Sequence, residues 1–181
     1  MRKVIFGGAN SLDNYFARKD GSVDWLLWSD EAMALMKDMW SRFDCMVMGR
    51  KTWSTSMEQF SEEDLEKARA GRAGMKEYVF SRTMEPGVRD GCEFLNTDPG
   101  EFVRELKQHD GKDIMVMGGG ELGSSLLECG VIDEIGFNIH PVLLGSGVPL
   151  FHEMSRQIDL ELLECKAMKN GCVYVLYRVR N

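Results

Sequence analysis

The chain has 181 residues, of which 44% are apolar and 28% are charged, a composition typical of a globular protein with one core. Its formal net charge of -7 argues against nucleic-acid binding, because a phosphate backbone requires a concentrated basic surface. No apolar run approaches the roughly 20 residues that span a bilayer and no signal-peptide stretch is seen, so we expect a single cytoplasmic domain over residues 1–181 that does not bind membranes.

The first half of the chain is predicted to alternate strands with helices. Residues 3–6 form an apolar run that ends at Gly7-Gly8, which predicts a buried strand that stops there. Ser29 or Asp30 can cap a helix whose apolar residues recur at helical spacing as far as Phe43. The pattern then predicts a strand at 45–48, a helix that Thr52 could begin, a helix at 62–72, a strand at 76–80, a turn at Pro86-Gly87 and a strand at 93–95.

The second half repeats this alternation and then changes style. A helix at 98–109 and a strand at 114–117 precede Gly118-Gly119-Gly120, and the next helix stops at Gly130. Three strand-like segments follow at 134–139, 158–166 and 172–179, and Lys169-Asn170-Gly171 is a hairpin turn signal. The sequence therefore predicts an α/β fold with a mostly parallel central sheet and an antiparallel C-terminal edge.

Three predicted strands end in turns suited to phosphate groups. Gly118-Gly119-Gly120 leaves the main chain accessible, and the helix after it offers its positive N-terminus. Gly49-Arg50-Lys51-Thr52 adds two cations and a hydroxyl at a second strand end, and Ser81-Arg82 follows a third. If the three meet at one edge of the sheet, they outline a dinucleotide site; the alternatives are a tight turn and solvated surface cations. The complete dinucleotide fingerprint, GxGxxG followed by an acidic residue, is absent.

Neither the cysteines nor the histidines are spaced as a metal site. The five cysteines are scattered without a CxxC pair, which favours reduced thiols packed as small apolar side chains. His109, His140 and His152 match no metal-ligand motif, so no metal is predicted.

The same strand ends resemble the three cofactor-binding signatures of the dihydrofolate reductase-like superfamily, in the expected order. Further matching strings make the chain most similar to the reductase domain of riboflavin biosynthesis, the RibD C-terminal type, and its stand-alone bacterial relatives. The most specific string is HPVLLGSG at 140–147, and the likeness runs nearly end to end. The strings that carry it are 11–17, 21–26, 47–53, 79–82, 116–127, 132–134, 140–147 and 150–151.

The resemblance implies a three-layer dihydrofolate reductase-like fold that binds NADPH. Its 2′-phosphate would lie near Ser81 and Arg82, and the cation at Arg82 would favour NADPH over NADH. The residues implied near the other phosphates are Gly49, Arg50, Lys51 and Thr52. Those implied along the pyrophosphate and nicotinamide side are Gly118, Gly119, Gly120, Glu121 and Leu122. The family's first motif commonly has glycine where this chain has Asn14, and asparagine also adopts left-handed backbone conformations.

Three carboxylates are candidate catalytic residues. Dihydrofolate reductases bind the pterin through an acid on the first helix, and ungapped counting back from Gly49 reaches Met33, near Asp30 and Glu31. Asp13 and Asp24 are the other candidates, either of which could orient a ring N–H or a ribityl hydroxyl while the cofactor supplies the hydride. The candidate catalytic set is therefore Asp13, Asp24 and Glu31.

The predicted activity is NADPH-dependent reduction of a small pteridine- or aminopyrimidine-type substrate. The resemblance suggests 5-amino-6-(5-phosphoribosylamino)uracil as the type substrate. Two alternatives stay open: a catalytically silent NADP(H)-binding or sensing domain, and a dihydrofolate reductase. The resemblance also implies a homodimer, and a dimerising scaffold whose C-terminal strands pair across an interface is a third interpretation.

Overall fold

An open sheet runs through the centre of the protein in the computed structural model, which describes residues 1–180. The strands are β1 Val4–Ser11, β2 Tyr15–Ala17, β3 Phe43–Gly49, β4 Lys76–Phe80, β5 Gly87–Arg89, β6 Cys92–Leu95, β7 Asp113–Met117, β8 Glu134–His140, β9 Val148–Pro149, β10 Asp159–Ala167 and β11 Val173–Arg180. The helices are α1 Asp30–Ser41, α2 Arg50–Gln59, α3 Glu62–Gly71, α4 Pro99–Leu106 and α5 Gly120–Glu128.

The central strands of the sheet are parallel and its edges are antiparallel. The order is β10-β11-β8-β1-β7-β3-β4-β6-β5, and the six strands from β8 to β6 run in the same direction. Strands β11 and β10 at one edge and β5 at the other pair antiparallel. This arrangement confirms the predicted mostly parallel sheet with an antiparallel C-terminal edge, and it brings the carboxyl ends of β3, β4, β6 and β7 to one side.

Helices cover both faces of the sheet, because the central strands are apolar on both faces. On one face Phe6 and Val116 pack with Val103 of α4 and Leu126 of α5, and all four are fully buried. On the other face Ile5, Met46 and Met115 pack with Met39 and Trp40 of α1 and Trp53 of α2. The result is the three-layer arrangement that the resemblance implies.

Phe43, which the helical spacing assigns to the first helix, lies in β3, and two further predicted boundaries are wrong for tertiary reasons. Strand β1 does not stop at Gly7-Gly8 but continues to Ser11, because that segment pairs with β8. A Cβ on Gly7 would lie 2.5 Å from the carbonyl oxygen of Gly136, so glycine here allows the close approach of two strands rather than a turn. Helix α2 begins at Arg50, two residues before Thr52, which lies in its first turn.

The pair β2 and β9 was not predicted from the sequence. The two strands have three and two residues and pair with each other, Tyr15 with Pro149 and Ala17 with Val148. Segments this short show no periodicity. Asn14, just before β2, has a φ of 63°, the left-handed conformation expected at that position.

No helix within residues 1–180 combines the length and hydrophobicity needed to cross a membrane. All five cysteines are free thiols. Cys45, Cys92 and Cys172 are buried, whereas Cys129 and Cys165 are exposed.

Candidate functional site

A cleft of about 910 Å³ lies at the carboxyl ends of β3, β4, β6 and β7. Its volume is at the upper end of the usual range for ligand sites. The structure brings all eleven residues of the predicted cofactor set to this cleft: Gly49, Arg50, Lys51, Thr52, Ser81, Arg82, Gly118, Gly119, Gly120, Glu121 and Leu122.

The first wall of the cleft is the junction of β3 and α2. Gly49 is the N-cap of α2 and makes no side-chain hydrogen bond to the first turn of the helix. That turn contains no acidic residue and begins with Arg50 and Lys51. The positive helix end and two cations therefore reinforce each other at this wall.

The second wall is the turn from β7 into α5. Gly118 and Gly119 have φ values of 56° and 65°, left-handed conformations that favour glycine. A Cβ on Gly119 would lie 3.2 Å from Oγ1 of Thr52, so the two walls touch at this point. Gly119 is the N-cap of α5 and, like Gly49, makes no side-chain cap.

Helices α2 and α5 lack the side-chain N-cap that the other three helices within residues 1–180 have. The N-termini of α1, α3 and α4 each donate a backbone N–H to a capping side chain: Ala32 to Ser29, Asp64 to Ser61 and Glu101 to Asp98. The amides at the start of a helix have no partner within the helix. The two helices that open onto the cleft thus have no side-chain acceptor for these amides, which leaves them available to an anion.

The turn after β4 presents a third cation. The Ser81 hydroxyl accepts hydrogen bonds from the backbone N–H groups of Thr83 and Met84, at 3.2 and 3.0 Å, so its geometry shapes the turn. Arg82 extends from that turn with 92% of its side chain exposed. Its Nη2 lies 3.6 Å from Oε1 of Glu121, which brings the guanidinium to the N-terminus of α5.

Apolar side chains form part of the cleft wall. Phe16, Phe80 and Leu122 line the cleft and also belong to the core cluster on the α4 and α5 face. Because they are packed from behind, they give the cleft a fixed apolar surface.

None of the three candidate catalytic carboxylates lines this cleft. Asp13 accepts a hydrogen bond from the Ser11 hydroxyl at 2.6 Å and others from the backbone N–H groups of Leu144 and Gly145, at 3.1 and 2.7 Å. The Ser11 bond is the largest cause of a lowered Asp13 pKa, and the two backbone bonds add to it. This carboxylate therefore ties the loop after β1 to the loop after β8.

Asp24 and Glu31 likewise form contacts outside the cleft, although Asp24 lines a neighbouring cavity that shares Asp20 with the cleft. Oδ1 of Asp24 pairs with Nε of Arg18 at 2.6 Å within an exposed loop. Glu31 accepts a hydrogen bond from the backbone N–H of Lys169 at 3.1 Å, which lowers its pKa, and pairs with Lys166. Glu31 thus joins α1 to the β10–β11 hairpin, which is a structural role.

Sequence reasoning missed several residues of the cleft. Asn96 and Thr97 directly follow β6. Polar residues directly after a strand identified the other three strand ends, and the same criterion would have identified these two residues at a fourth strand end. Residues 147–149 reach the cleft through the pairing of β9 with β2, for which the sequence has no local signal. Asp20 also lines the cleft; its carboxylate accepts a hydrogen bond from the backbone N–H of Ser22 at 2.9 Å, which lowers its pKa.

Comparison with known families identifies the chain. The family model of the RibD C-terminal domain matches residues 2–174. The chain belongs to the RibD C-terminal domain family. Two curated relatives of this RibD C-terminal domain come from Bacillus subtilis strain 168, and both are described as uncharacterized. YyaP is 33% identical over 98% of this chain and 95% of its own length, and YwjB is 30% identical over 89% of each.

Solved structures share the fold of this RibD C-terminal domain. A candidate riboflavin biosynthesis protein from Shewanella sp. PV-4 matches with a TM-score of 0.78 and 24% identity over 100% of both chains. A diaminohydroxyphosphoribosylaminopyrimidine deaminase/5-amino-6-(5-phosphoribosylamino)uracil reductase from Thermotoga maritima matches with a TM-score of 0.70 and 16% identity. That match covers 99% of this chain and 57% of the Thermotoga chain. These likenesses establish that this chain has a dihydrofolate reductase-like fold.

Proposed function

We propose that this protein is an NADPH-dependent reductase of a small pteridine- or aminopyrimidine-type heterocycle. The observation that carries the proposal is the convergence of two uncapped helix N-termini and three cations on one cleft. These three cations, Arg50, Lys51 and Arg82, belong to the turns at the strand ends, and Lys19 lines the cleft as well. Family membership supports the same assignment, because the fold is that of a reductase domain.

The residues of the cleft fit the phosphate groups of NADPH. The first turns of α2 and α5 offer backbone N–H donors, and arginine and lysine side chains bind phosphate oxygens through charge-assisted hydrogen bonds. Gly118 and Gly119 carry no Cβ, so a pyrophosphate can approach the main chain beside Thr52. Arg82 is the side chain that we assign to the 2′-phosphate.

The apolar wall fits the reacting part of the site. When bound, the cofactor supplies a hydride to an electrophilic carbon of the substrate. Phe16, Phe80 and Leu122 would exclude water around two flat rings and hold them in place. Two carboxylates line the cleft, Asp20 and Glu121. We propose that Asp20 orients a substrate N–H or hydroxyl, because Glu121 pairs with the cations Lys51 and Arg82.

The substrate class is proposed from the relatives. The Thermotoga maritima protein is described as a deaminase and a 5-amino-6-(5-phosphoribosylamino)uracil reductase, and this chain matches 57% of it. We therefore propose a phosphoribosylaminouracil as the first substrate to test and dihydrofolate as the second.

One observation favours a second candidate function, an NADP(H)-binding or sensing domain without turnover. Asp13 and Glu31 bind other parts of the protein, and Asp24 pairs with Arg18, so none of the three lines the cleft itself. This candidate shares the cofactor site and differs only in chemistry.

Two measurements on the purified protein separate these functions. Calorimetric titration with NADP⁺ tests the cofactor site, and the loss of NADPH absorbance with each substrate tests turnover. Oxidation of NADPH with the aminouracil supports the reductase, and oxidation only with dihydrofolate reassigns the substrate. Binding without turnover on either favours the sensing domain, and absence of NADP⁺ binding rejects both.

A further inference from the structure

Glu121 bridges two of the cleft cations. Its Oε2 lies 3.5 Å from Nζ of Lys51, and its Oε1 lies 3.6 Å from Nη2 of Arg82. The three residues come from α5, from α2 and from the turn after β4. A single carboxylate therefore binds, in the free protein, two side chains that the proposed function assigns to cofactor phosphates.

The carboxylate of Glu121 also lies where an anion is favoured. Glu121 is the second residue of α5, directly after the uncapped start of the helix at Gly119 and Gly120. Negative charge in the first turn of a helix is stabilised by the helix dipole. Glu121 thus combines the helix end and the two cations that a bound phosphate would use.

These ion pairs are weak enough to exchange. The side chains of Lys51, Arg82 and Glu121 are 82%, 92% and 61% exposed, and exposed ion pairs contribute little to stability. A phosphate group carries more charge and more acceptor oxygens than a carboxylate, so it can displace Glu121 from both cations.

We infer that Glu121 competes with the cofactor phosphates for Lys51 and Arg82. This competition lowers the preference of the cleft for NADP over NAD. The inference rests on the proposed NADPH site and assigns Glu121 a role opposite to that of a phosphate ligand. The carboxylate holds the two cations in the free protein and repels the phosphate once it has bound.

Glu121 has two opposing effects on the affinity for a phosphate, and the larger one decides whether the affinity rises or falls. By holding Lys51 and Arg82 together Glu121 favours phosphate binding, but side chains exposed by more than four-fifths are ordered only slightly. By contrast, if the carboxylate and a bound phosphate dianion are separated by ~6 Å, their repulsion lowers the affinity roughly tenfold in water. Screening at physiological salt reduces this to about threefold. The repulsion is the larger effect.

The test compares Glu121→Gln with a matched control. Glu161 on β10 also bridges two cations, Arg178 at 3.1 Å and Arg180 at 3.8 Å, outside the residues that line the cleft. Glu161→Gln therefore makes the same charge change away from the site. We expect Glu121→Gln to bind NADP⁺ about three- to tenfold more tightly in calorimetry, with a smaller gain for NAD⁺ and a gain that shrinks with added salt. Glu161→Gln should match the wild type.

The outcomes are separable. An NADP⁺ affinity of Glu121→Gln that is unchanged or weaker than wild type overturns the inference, since Glu121 would then organise the cations or bind the cofactor. Failure of the wild-type protein to bind NADP⁺ rejects the proposed cofactor site instead. Thermal unfolding of both variants shows that the fold is retained, and Glu121→Ser repeats the test with a shorter neutral side chain.

Discussion

At the scale of single residues, Arg82 is the side chain from which we expect cofactor preference. It lies outside the core, 92% exposed, so its replacement should leave stability unchanged. A hydrogen bond to a charged group contributes about 1.5–3 kcal/mol, so we expect Arg82→Ala to weaken NADPH binding about ten- to hundredfold. NADH binding should change less than about twofold, because NADH lacks the 2′-phosphate. Calorimetric titration with both cofactors measures the two affinities, and Arg178→Ala is the control. Equal losses of affinity for NADPH and NADH would contradict the assignment of Arg82 to the 2′-phosphate.

Two glycines with nearly the same positive φ allow strain to be separated from binding. Gly119 and Gly130 have φ values of 65° and 66°, but only Gly119 is crowded, by Thr52. We expect Gly119→Ala and Gly130→Ala each to lower the free energy of unfolding by about 1–2 kcal/mol, measured in urea. Only Gly119→Ala should weaken NADP⁺ binding, by about tenfold or more. Similar affinities in the two variants would mean that the turn at Gly119 does not contact the phosphates.

At the scale of elements, α5 is positioned by its contact with β1. A Cβ on Gly123 would clash with the Phe6 ring, which is fully buried in the core. We expect Gly123→Ala to destabilise the protein by about 1–3 kcal/mol and to weaken NADP⁺ binding, because a displaced α5 moves the N-terminus that lines the cleft. Gly71→Ala in α3 is the control, since nothing lies within 4 Å of its Cβ position. Urea unfolding with calorimetry measures both effects, and wild-type stability of Gly123→Ala would show that the contact adapts.

At the scale of the whole molecule, stability should fall in mild acid because of His140. The ring is 3% exposed, accepts a hydrogen bond from the backbone N–H of Leu27 at 3.2 Å and packs edge-on against Trp25. Burial lowers its pKa from the ordinary value of 6.5. The unfolded chain therefore binds the proton more strongly, so stability is full above about pH 6.5 and decreases below it, by at most about 1.4 kcal/mol per pH unit.

Urea unfolding between pH 5 and pH 7.5 tests this dependence. Asp13, Asp20, Glu31 and Glu128, whose pKa values are lowered, lose their stabilising effect only at lower pH, below about 4.5. His140→Asn should remove most of the slope, while the exposed His109→Gln should keep it. A slope that persists in His140→Asn would assign the proton to another group.

The homodimer stays a prediction, and the structure indicates the edge to test. Strand β10 pairs only with β11 within residues 1–180 and exposes three leucines, Leu160, Leu162 and Leu163, by 41%, 54% and 38%. An exposed apolar edge strand favours pairing with another chain. We expect Leu162→Glu to shift a dimer to the monomer in light scattering, while Val88→Glu on the opposite edge strand β5 leaves it intact. A dimer that persists in Leu162→Glu excludes this edge.

The sequence alone determined most of the fold and the composition of the two cleft walls. Apolar runs such as Met46–Met48 and Ile114–Met117 predict buried strands, and a turn directly after such a strand necessarily lies at its carboxyl end. Because β3, β4 and β7 are parallel and close together, Arg50, Arg82 and Gly119 meet at one cleft. The local signal sufficed here because each turn directly follows its own strand, and the parallel arrangement of the strands places all three turns at one edge.

Only the tertiary structure decided which acidic side chains face the cleft and where β1 ends. Asp13, Glu31 and Asp20 all lie in polar or capping sequences. Asp13 and Glu31 bind the distant residues Gly145 and Lys169, whereas the hydrogen-bond partner of Asp20 is the nearby Ser22. The continuation of β1 through Gly7 likewise depends on the approach of Gly136. A contact between segments more than a hundred residues apart produces no hydrophobic periodicity in either segment. Acidic residues that look alike in the sequence are therefore distinguished only by their positions in the folded protein.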